Sequence, residues 1–269
     1  MKKKAACICV ILMVLAVAII MNPVTFPDGL AQYDAATRQK IDNAVSDAVL
    51  KQLNSYSPGE FSAEGHIILM TEERNGTLIV YALAAGFNYE FENGSFVVIS
   101  GFGVIPAVIS FSEKPNGKLA LLDYTEPADG GGDTMELFPD SLWGFVSYPG
   151  CEAAAPTLFS QEKEQAKSYL KSIGREDAAV ADYQELEYIE INTLGSFGED
   201  FRRPELEDYP DWLGMREQLE NGVRYIYEAE KDKHIGYEIY TFTKKKADGA
   251  VVEQYRYKVT GDSIKPLSG

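Results

Sequence analysis

Three Asn-Gly pairs between residues 64 and 124 constrain the fold more than any other feature of the sequence. They are Asn75-Gly76, Asn93-Gly94 and Asn116-Gly117, and each separates two stretches rich in apolar residues. Asn-Gly is the strongest short signal for a β-hairpin, because both residues tolerate the positive φ of a type I′ turn. The sequence therefore predicts four antiparallel strands in a meander, near 65–73, 77–91, 95–112 and 118–125.

Residues 34–53 precede this meander and show helical periodicity. Their apolar residues recur at spacings of three and four, which would place them in one stripe along a helix: Ile41, Ala44, Val45, Ala48, Val49 and Leu53. The turn-forming residues at 55–59 end the pattern. We expect this helix to pack its apolar stripe on the meander.

The second half of the chain alternates between helix and strand signals. In chain order, it predicts a linker at 151–156, a helix at 160–174, a strand at 184–192, a short helix at 212–220 and strands at 223–230, 234–243 and 250–260. Ser160 is a suitable N-cap for the longer helix, and Gly174 a suitable end. Asn221-Gly222 would close the shorter helix.

These patterns together predict an α+β fold. A transmembrane helix within residues 1–24 would precede two lobes of antiparallel sheet, each packed with one or two helices. The first lobe, residues 25–148, would hold one helix and the four-stranded meander. The second lobe, residues 149–269, would end in a three-stranded meander.

Tyrosines are concentrated on the last three predicted strands, where Tyr225, Tyr227, Tyr237, Tyr240, Tyr255 and Tyr257 recur. A tyrosine combines a broad apolar surface with a hydroxyl group, which suits a recognition surface as well as a sheet core. We favour the core interpretation.

The N-terminus carries the signal for export. Lys2–Lys4 are followed by an uncharged run from Ala5 to Met21, about the shortest length that spans a bilayer as a helix. The lysines should remain cytoplasmic, which would place the rest of the chain outside. We predict a single-pass protein of the cell membrane with an extracytoplasmic C-terminal domain. The alternative is a signal peptide cleaved after Ala31, which would release a secreted protein.

The charge of the chain limits its partners. Without Lys2–Lys4 it has 22 basic and 41 acidic residues, a net charge of −19. Such a protein repels the phosphates of nucleic acid and the anionic surface of a membrane, so contact with the membrane should come through the N-terminal helix alone. Cys151 is the single cysteine after the apolar run, so the exported part has no internal disulfide.

No set of catalytic residues is recognisable. Two Ser-x-x-Lys strings, Ser160–Lys163 and Ser168–Lys171, have the spacing of β-lactam-reactive enzymes, but the supporting Lys-Thr-Gly element does not follow. A helix cap and surface charges explain both strings. His66 and His234 fall at predicted strand starts and are better explained as structural residues. The sequence thus predicts a non-catalytic protein without a cofactor, and a serine-dependent β-lactam-reactive domain is the weaker alternative.

The loop at 126–133 contains three acidic residues around three glycines. Carboxylate oxygens of Glu126, Asp129 and Asp133 are ligands of the kind that Ca²⁺ prefers. Their spacing matches no established calcium loop, so we favour a solvated turn and predict no metal.

The stretch from 64 to 111 resembles a region of clostridial relatives of the β-lactam-sensing antirepressor membrane metallopeptidases. Its most specific pieces are Glu64-Gly65-His66, Phe91-Glu92-Asn93-Gly94 and Gly103-Val104-Ile105-Pro106. The similarity continues through 123–130, 137–139, 172–177 and 221–228. The zinc-binding His-Glu-x-x-His helix of that family is missing, so the resemblance implies only its extracytoplasmic C-terminal domain.

The resemblance implies a tethered binding or sensing module, linked to cell-envelope or antibiotic-response signalling. Its ligand would be a protein, a peptide or a cell-envelope component, and not a nucleic acid. The candidate binding residues are Glu64, His66, Tyr124, Glu126, Asp129 and Asp133. A secreted inhibitor-like domain is the alternative if the leader is cleaved.

Overall fold

The computed structural model describes residues 24–128, 132–182, 185–191, 203–261 and 263–267. The helices in these residues are Ala35–Gln52 (α1), Gly132–Leu137 (α2), Trp143–Val146 (α3) and Tyr148–Ser172 (α4). The strands are Phe61–Arg74 (β1), Thr77–Glu92 (β2), Ser95–Glu113 (β3), Leu119–Thr125 (β4), Val180–Asp182 (β5), Ile189–Glu190 (β6), Trp212–Glu220 (β7), Val223–His234 (β8), Tyr237–Lys246 (β9), Val251–Thr260 (β10) and Ser263–Pro266 (β11).

One largely antiparallel sheet joins strands from both halves of the chain. Its order is β11-β10-β9-β8-β7-β2-β3-β4, and β1 pairs with β2 up to Tyr89. Beyond that point β7 takes over the same edge of β2, at Phe91 and Glu92. Antiparallel sheet accounts for 47% of the structure and helices are few. The predicted α+β class with two separate lobes, each packed with its own helices, is therefore wrong.

The first meander has the predicted strands and two of the three predicted turns. Asn75-Gly76 and Asn93-Gly94 have positive φ at both residues, between 50° and 80°, as a type I′ turn requires. At the third turn only Gly117 has a positive φ, and Lys114 pairs with Lys118 across a longer loop. The type I′ turn predicted at Asn116-Gly117 is therefore wrong, although the hairpin itself forms.

The long helix α1 packs on one face of β1, β2 and β3, as its stripe predicts. Asp34 is its N-cap, and the carboxylate accepts the N–H of Thr37 at 2.8 Å. The buried residues of this layer come from α1, the residues that follow it, and alternate positions of the strands: Ile41, Val45, Ala48, Val49, Leu53, Ile68, Leu78, Val80, Ala82, Ala84, Ala107, Ile109 and Phe111.

Helices α2, α3 and α4 cover the opposite face of the meander. The buried positions of α4 recur every four residues, at Gly150, Ala154, Leu158, Glu162, Ala166 and Leu170. The stripe continues through Pro156, so the linker predicted at 151–156 is wrong and the helix begins twelve residues before Ser160. Packing of this stripe on β1 to β3 outweighs the local cost of a proline inside a helix.

Residues 212–220, predicted as a short helix, form strand β7. Trp212, Met215 and Leu219 fall at helical spacings, but so short a pattern does not exclude a strand. Asn221-Gly222 has φ values of 51° and 82°, so it turns a β7–β8 hairpin instead of ending a helix. The side chain of Asn93 then fixes β7 to the first meander, because its Oδ1 accepts the N–H of Met215 at 2.9 Å.

The C-terminal strands form their own core, and the favoured interpretation of the tyrosines is confirmed for three of them. Tyr227, Tyr240 and Tyr257 are buried on one face of β8 to β10, and the ring of Tyr209 packs on Tyr227 at 5.1 Å. The segment at 204–209 supplies this cover, and not either of the helices predicted for the second lobe.

A network of ion pairs ties the C-terminal strands to the first meander. Arg224 of β8 bonds Glu60 at 2.6 Å and Glu217 at 3.2 Å. Arg175, just after α4, bonds the same Glu217 at 3.0 Å. Both guanidinium groups also lie over the ring of Phe91. Because several charges share these contacts, the network holds the two parts of the sheet in one arrangement.

In the part of the chain that the structure describes, no helix has the length and hydrophobicity needed to cross a membrane. The predicted transmembrane helix falls on residues 1–23, which lie outside the described residues.

Candidate functional site

Two of the predicted site residues, the buried Glu64 and the largely buried His66, form a cluster with a half-exposed residue that the sequence did not indicate. They are two positions apart on β1, so both side chains lie on the face that α1 covers. The Nδ1 atom of His66 lies 2.9 Å from Glu64 Oε2, and its Nε2 atom lies 3.2 Å from Asp42 Oδ1 on α1. The imidazole thus joins α1 to the sheet.

The two carboxylates keep the imidazole charged. Burial disfavours the charged ring, but the hydrogen bonds that the ring donates to Asp42 and Glu64 outweigh this effect and raise the pKa of His66 to about 9. The bond to His66 in turn lowers the pKa of Asp42. Near neutral pH the ring has a proton on each nitrogen, so it does not act as a base. Its geometry is that of a structural ion cluster.

On the outer side of β1, α4 closes the edge of the sheet. Gln161 Oε1 accepts the N–H of His66 at 2.8 Å, and the amide of Gln165 bonds both the N–H and the carbonyl of Glu64, at 3.2 and 2.8 Å. At Gly65 the two elements touch, since a Cβ there would lie 2.3 Å from the carbonyl oxygen of Leu158. On this side β1 has no neighbouring strand, and the two glutamine side chains make the backbone hydrogen bonds that such a strand would make.

Two further candidates, Tyr124 and Glu126, lie at the other edge of the meander. A β-bulge displaces Leu122, because Leu121 pairs with Phe111 and Asp123 pairs with Ser110. The extra residue reverses the alternation of side chains, so Tyr124 shares the α1-facing side with Leu121.

Tyr124 and Glu126 place unpaired polar atoms in this region. Tyr124 Oη and Glu126 Oε1 are buried and have no hydrogen-bond partner among the described residues. Burial raises the pKa of Tyr124, and the charges of Glu126 and Glu64 raise it further. Burial alone raises the pKa of Glu126. Of the six candidates, Glu64 and His66 thus lie on β1, and Tyr124 and Glu126 lie on β4 and in the loop after it. Asp129 and the side chain of Asp133 lie outside the described residues.

A groove runs between α1 and β4, and sequence reasoning did not find it. Its volume is about 590 Å³. One wall is a flank of α1 from Ala36 to Lys51, a length of about 22 Å at 1.5 Å per residue. The apolar lining includes Ala44 and Ala48 of α1, Phe111 of β3, and Leu119 and Leu121 of β4.

The groove continues at both ends into smaller pockets. One of about 250 Å³ shares Ala48, Lys51 and Leu121 with it and ends at Tyr124. The other, of about 190 Å³, shares Lys40 and Leu119 and ends near Tyr33. The predicted candidate Tyr124 thus lies at one end of a surface depression that follows the whole of α1.

Three lysines lie around the groove of this acidic protein. Lys40 bonds Glu113 at 2.8 Å. Lys51 and Lys118 are exposed, and neither has an ion-pair partner among the residues that the structure describes. Asp47 is the one carboxylate in the lining. With Asp47 and the Glu113 that pairs with Lys40, the three lysines leave the groove a net charge of +1, whereas residues 5–269 carry −19.

The residues considered for catalysis have ordinary structural contacts. The hydroxyl of Ser168 donates to the carbonyl of Glu164 one helical turn earlier, at 2.7 Å. Lys163 lies 3.7 Å from Asp182. His234 is exposed at the end of β8, where its ring stacks on Tyr237. In the described residues, no group of three or more His, Cys, Asp or Glu side chains is placed to hold a metal ion.

The chain matches no family model, and neither a characterised protein nor a solved structure is significantly similar to it. The resemblance to the antirepressor metallopeptidase relatives stays a prediction from the residues that carry it.

Proposed function

We propose that this protein is a membrane-tethered, extracytoplasmic binding module that holds a protein or peptide partner in the groove between α1 and β4. The observation that carries the proposal is the groove itself: a depression with an apolar floor and a charged rim, as long as α1. Apolar concave surfaces with a few polar groups around them are the usual form of a binding site. The module acts by binding and not by catalysis.

The contacts of residues 28–31 favour an anchor over a cleaved signal peptide. The N–H of Gly29 bonds the carbonyl of Ile68 at 3.1 Å, and Thr71 Oγ1 donates to the carbonyl of Gly29 at 3.0 Å. Leu30 is buried in the α1 core, and Asp28 pairs with Arg38 at 2.6 Å. Cleavage after Ala31 would remove all of these contacts from the folded domain.

Membrane fractionation tests the anchor. The full-length chain is expected in membranes washed at alkaline pH, with its C-terminal domain open to protease added outside the cell. A chain shortened by about 31 residues in the medium would support the secreted alternative. An intact chain in the cytosol would contradict both.

Photo-crosslinking in the native cells tests the groove. A photoreactive amino acid at Asn43 or Lys118, both exposed at the groove, should give discrete adducts with a partner. The same amino acid at Lys233, exposed on β8, serves as the control. Adding Asn43→Trp, which fills the groove, should abolish the adduct at position 118, whereas Asn54→Trp, exposed just beyond α1, should not. Equal labelling at positions 43, 118 and 233 would contradict the proposal.

A further inference from the structure

The dimensions of the sheet explain why a groove lies beside α1. Neighbouring strands lie about 4.8 Å apart, so β1 to β4 span roughly 15 Å between their axes, whereas a helix with its side chains is about 10 Å across. The buried residues of α1 pack on β1, β2 and β3, and the flank of the helix that lines the groove approaches β4. At β4 the cover by α1 is incomplete, because Leu119 and Leu121 are only partly buried.

The partly covered strip at β4 has the length of a helix. The flank of α1 that lines it covers about four turns, from Ala36 to Lys51. A second helix of about 15 residues beside α1 would cover the apolar floor at the distance of 8–10 Å that packed helices usually keep. On the opposite face, helices α2, α3 and α4 already pack over the meander.

Strand addition at the edge of β4 fits less well. Strand β4 has only seven residues, and the bulge at Leu122 interrupts its regular alternation. Short and bulged edge strands are a common way of preventing pairing with another strand. The face of β4, and not its edge, is therefore the surface that remains for a partner.

The charges around the groove indicate the chemistry of that partner. Lys51 extends from the α1 wall and Lys118 from the β4 side, so the lining has two lysines without an ion-pair partner among the described residues against one carboxylate, Asp47. Like charges facing each other across an interface are costly, and opposite charges select partners. A second copy of this acidic chain is disfavoured for the same reason.

We infer that the groove receives an amphipathic helix with an acidic flank, contributed by a partner protein. Its apolar stripe would lie on Leu119, Leu121 and Ala44, and its Asp and Glu residues would face Lys51 and Lys118. This inference rests on the proposed binding function and specifies the kind of partner. Helix-in-groove recognition of this type is read through apolar anchors at spacings of three and four.

Selection from a display library of random 18-residue peptides on the full-length protein in lipid nanodiscs tests this inference. Asn43→Trp serves as the counter-target, so that only peptides dependent on the groove are kept. We expect the enriched peptides to show apolar residues at helical spacing and an excess of Asp and Glu. Circular dichroism should show that they gain helix on binding.

Charge reversal at the two lysines of the groove, measured with the selected peptides, tests the acidic flank separately from binding in the groove. Lys51→Glu with Lys118→Glu should weaken binding about tenfold or more, whereas Lys233→Glu should not change it. Groove-dependent peptides with alternating apolar residues, or with no response to the two lysine changes, would overturn the inference and leave the groove as a binding site. Enrichment that is the same on the wild type and on Asn43→Trp would contradict the proposed function as well.

Discussion

The two edge strands of the first meander are covered in different ways. At β1, helix α4 closes the edge with Gln161 and Gln165 and touches the strand at Gly65. At β4, its short length and a bulge protect the strand edge, but the adjacent face is left as an apolar groove. Substitutions at β1 should therefore reduce stability, and substitutions at β4 should reduce binding.

The largest loss of stability is expected for Gly65→Ala. The new methyl group would lie 2.3 Å from the backbone oxygen of Leu158, so α4 would have to move away from β1. We expect a loss of about 3 kcal/mol or more in the free energy of unfolding, measured by denaturant titration. Gly103→Ala is the control, because nothing lies within 4 Å of its new methyl group. Equal stability of the two variants would show that α4 does not pack against β1 as described.

The charged His66 cluster should make stability fall at alkaline pH. Its pKa is about 9 in the folded chain and about 6.5 when unfolded, so its contribution is complete below pH 6.5 and is lost as pH rises through 9. We expect a decrease on the order of 3 kcal/mol between these values. Burial also raises the pKa of Glu90 and Glu162 to about 7. The decrease in stability that these two groups cause as pH rises therefore falls between about pH 4.5 and 7, below the range of the His66 effect.

His66→Gln isolates this effect, since glutamine retains hydrogen-bonding capacity without the charge. The difference in unfolding free energy between wild type and His66→Gln should shrink from pH 6.5 to 10. A constant difference across that range would rule out the charged cluster.

A smaller loss is expected when the edge of β1 is opened. Gln165→Leu removes two hydrogen bonds to the backbone of Glu64, and the unpaired buried groups should cost about 1–3 kcal/mol. Glu164→Leu, at an exposed neighbouring position of α4, is the control. Thermal unfolding with light scattering would detect both the lower stability and the aggregation that an exposed strand edge favours. Unchanged stability would mean that water bonds the N–H and the carbonyl of Glu64 as well as the side chain of Gln165 does.

The smallest change in stability is expected at the groove. Lys118 is exposed and has no ion-pair partner among the described residues, so Lys118→Glu should alter the unfolding free energy by less than about 0.5 kcal/mol. The same change should weaken binding of groove-dependent peptides, measured by titration calorimetry. A large loss of stability would show that Lys118 supports the fold instead of a partner.

The sequence predicts the first meander well because its signals are local. Asn75-Gly76 and Asn93-Gly94 specify their turns regardless of what packs around them. The same signal at Asn221-Gly222 also fits the end of a helix over 212–220, where Trp212, Met215 and Leu219 fall at helical spacings. Pairing of β7 with β8 and β2 favours the hairpin over the helix. The partner residues on β2 lie far away in the chain.

The candidate site shows the same division between local and distant information. Glu64 and His66 share a face by their spacing alone, but Asp42 and Gln165 join them from other elements. The bulge that turns Tyr124 toward α1 lies at Leu122, without a glycine or proline to indicate it. The groove has one wall in residues 36–51 and another in residues 111–121, so it could not be predicted from either segment alone.

Hydrogen exchange at single-residue resolution on the full-length protein tests the difference between the two edges most directly. The amides of Glu64 and His66 point out of the sheet toward α4, and we predict that they exchange only as slowly as the whole fold opens. The amides of β4 that do not pair with β3 should exchange much faster in the purified protein and become protected when a groove-dependent peptide is bound. Rapid exchange at Glu64 and His66, or β4 amides that are already protected without a ligand, would contradict the account.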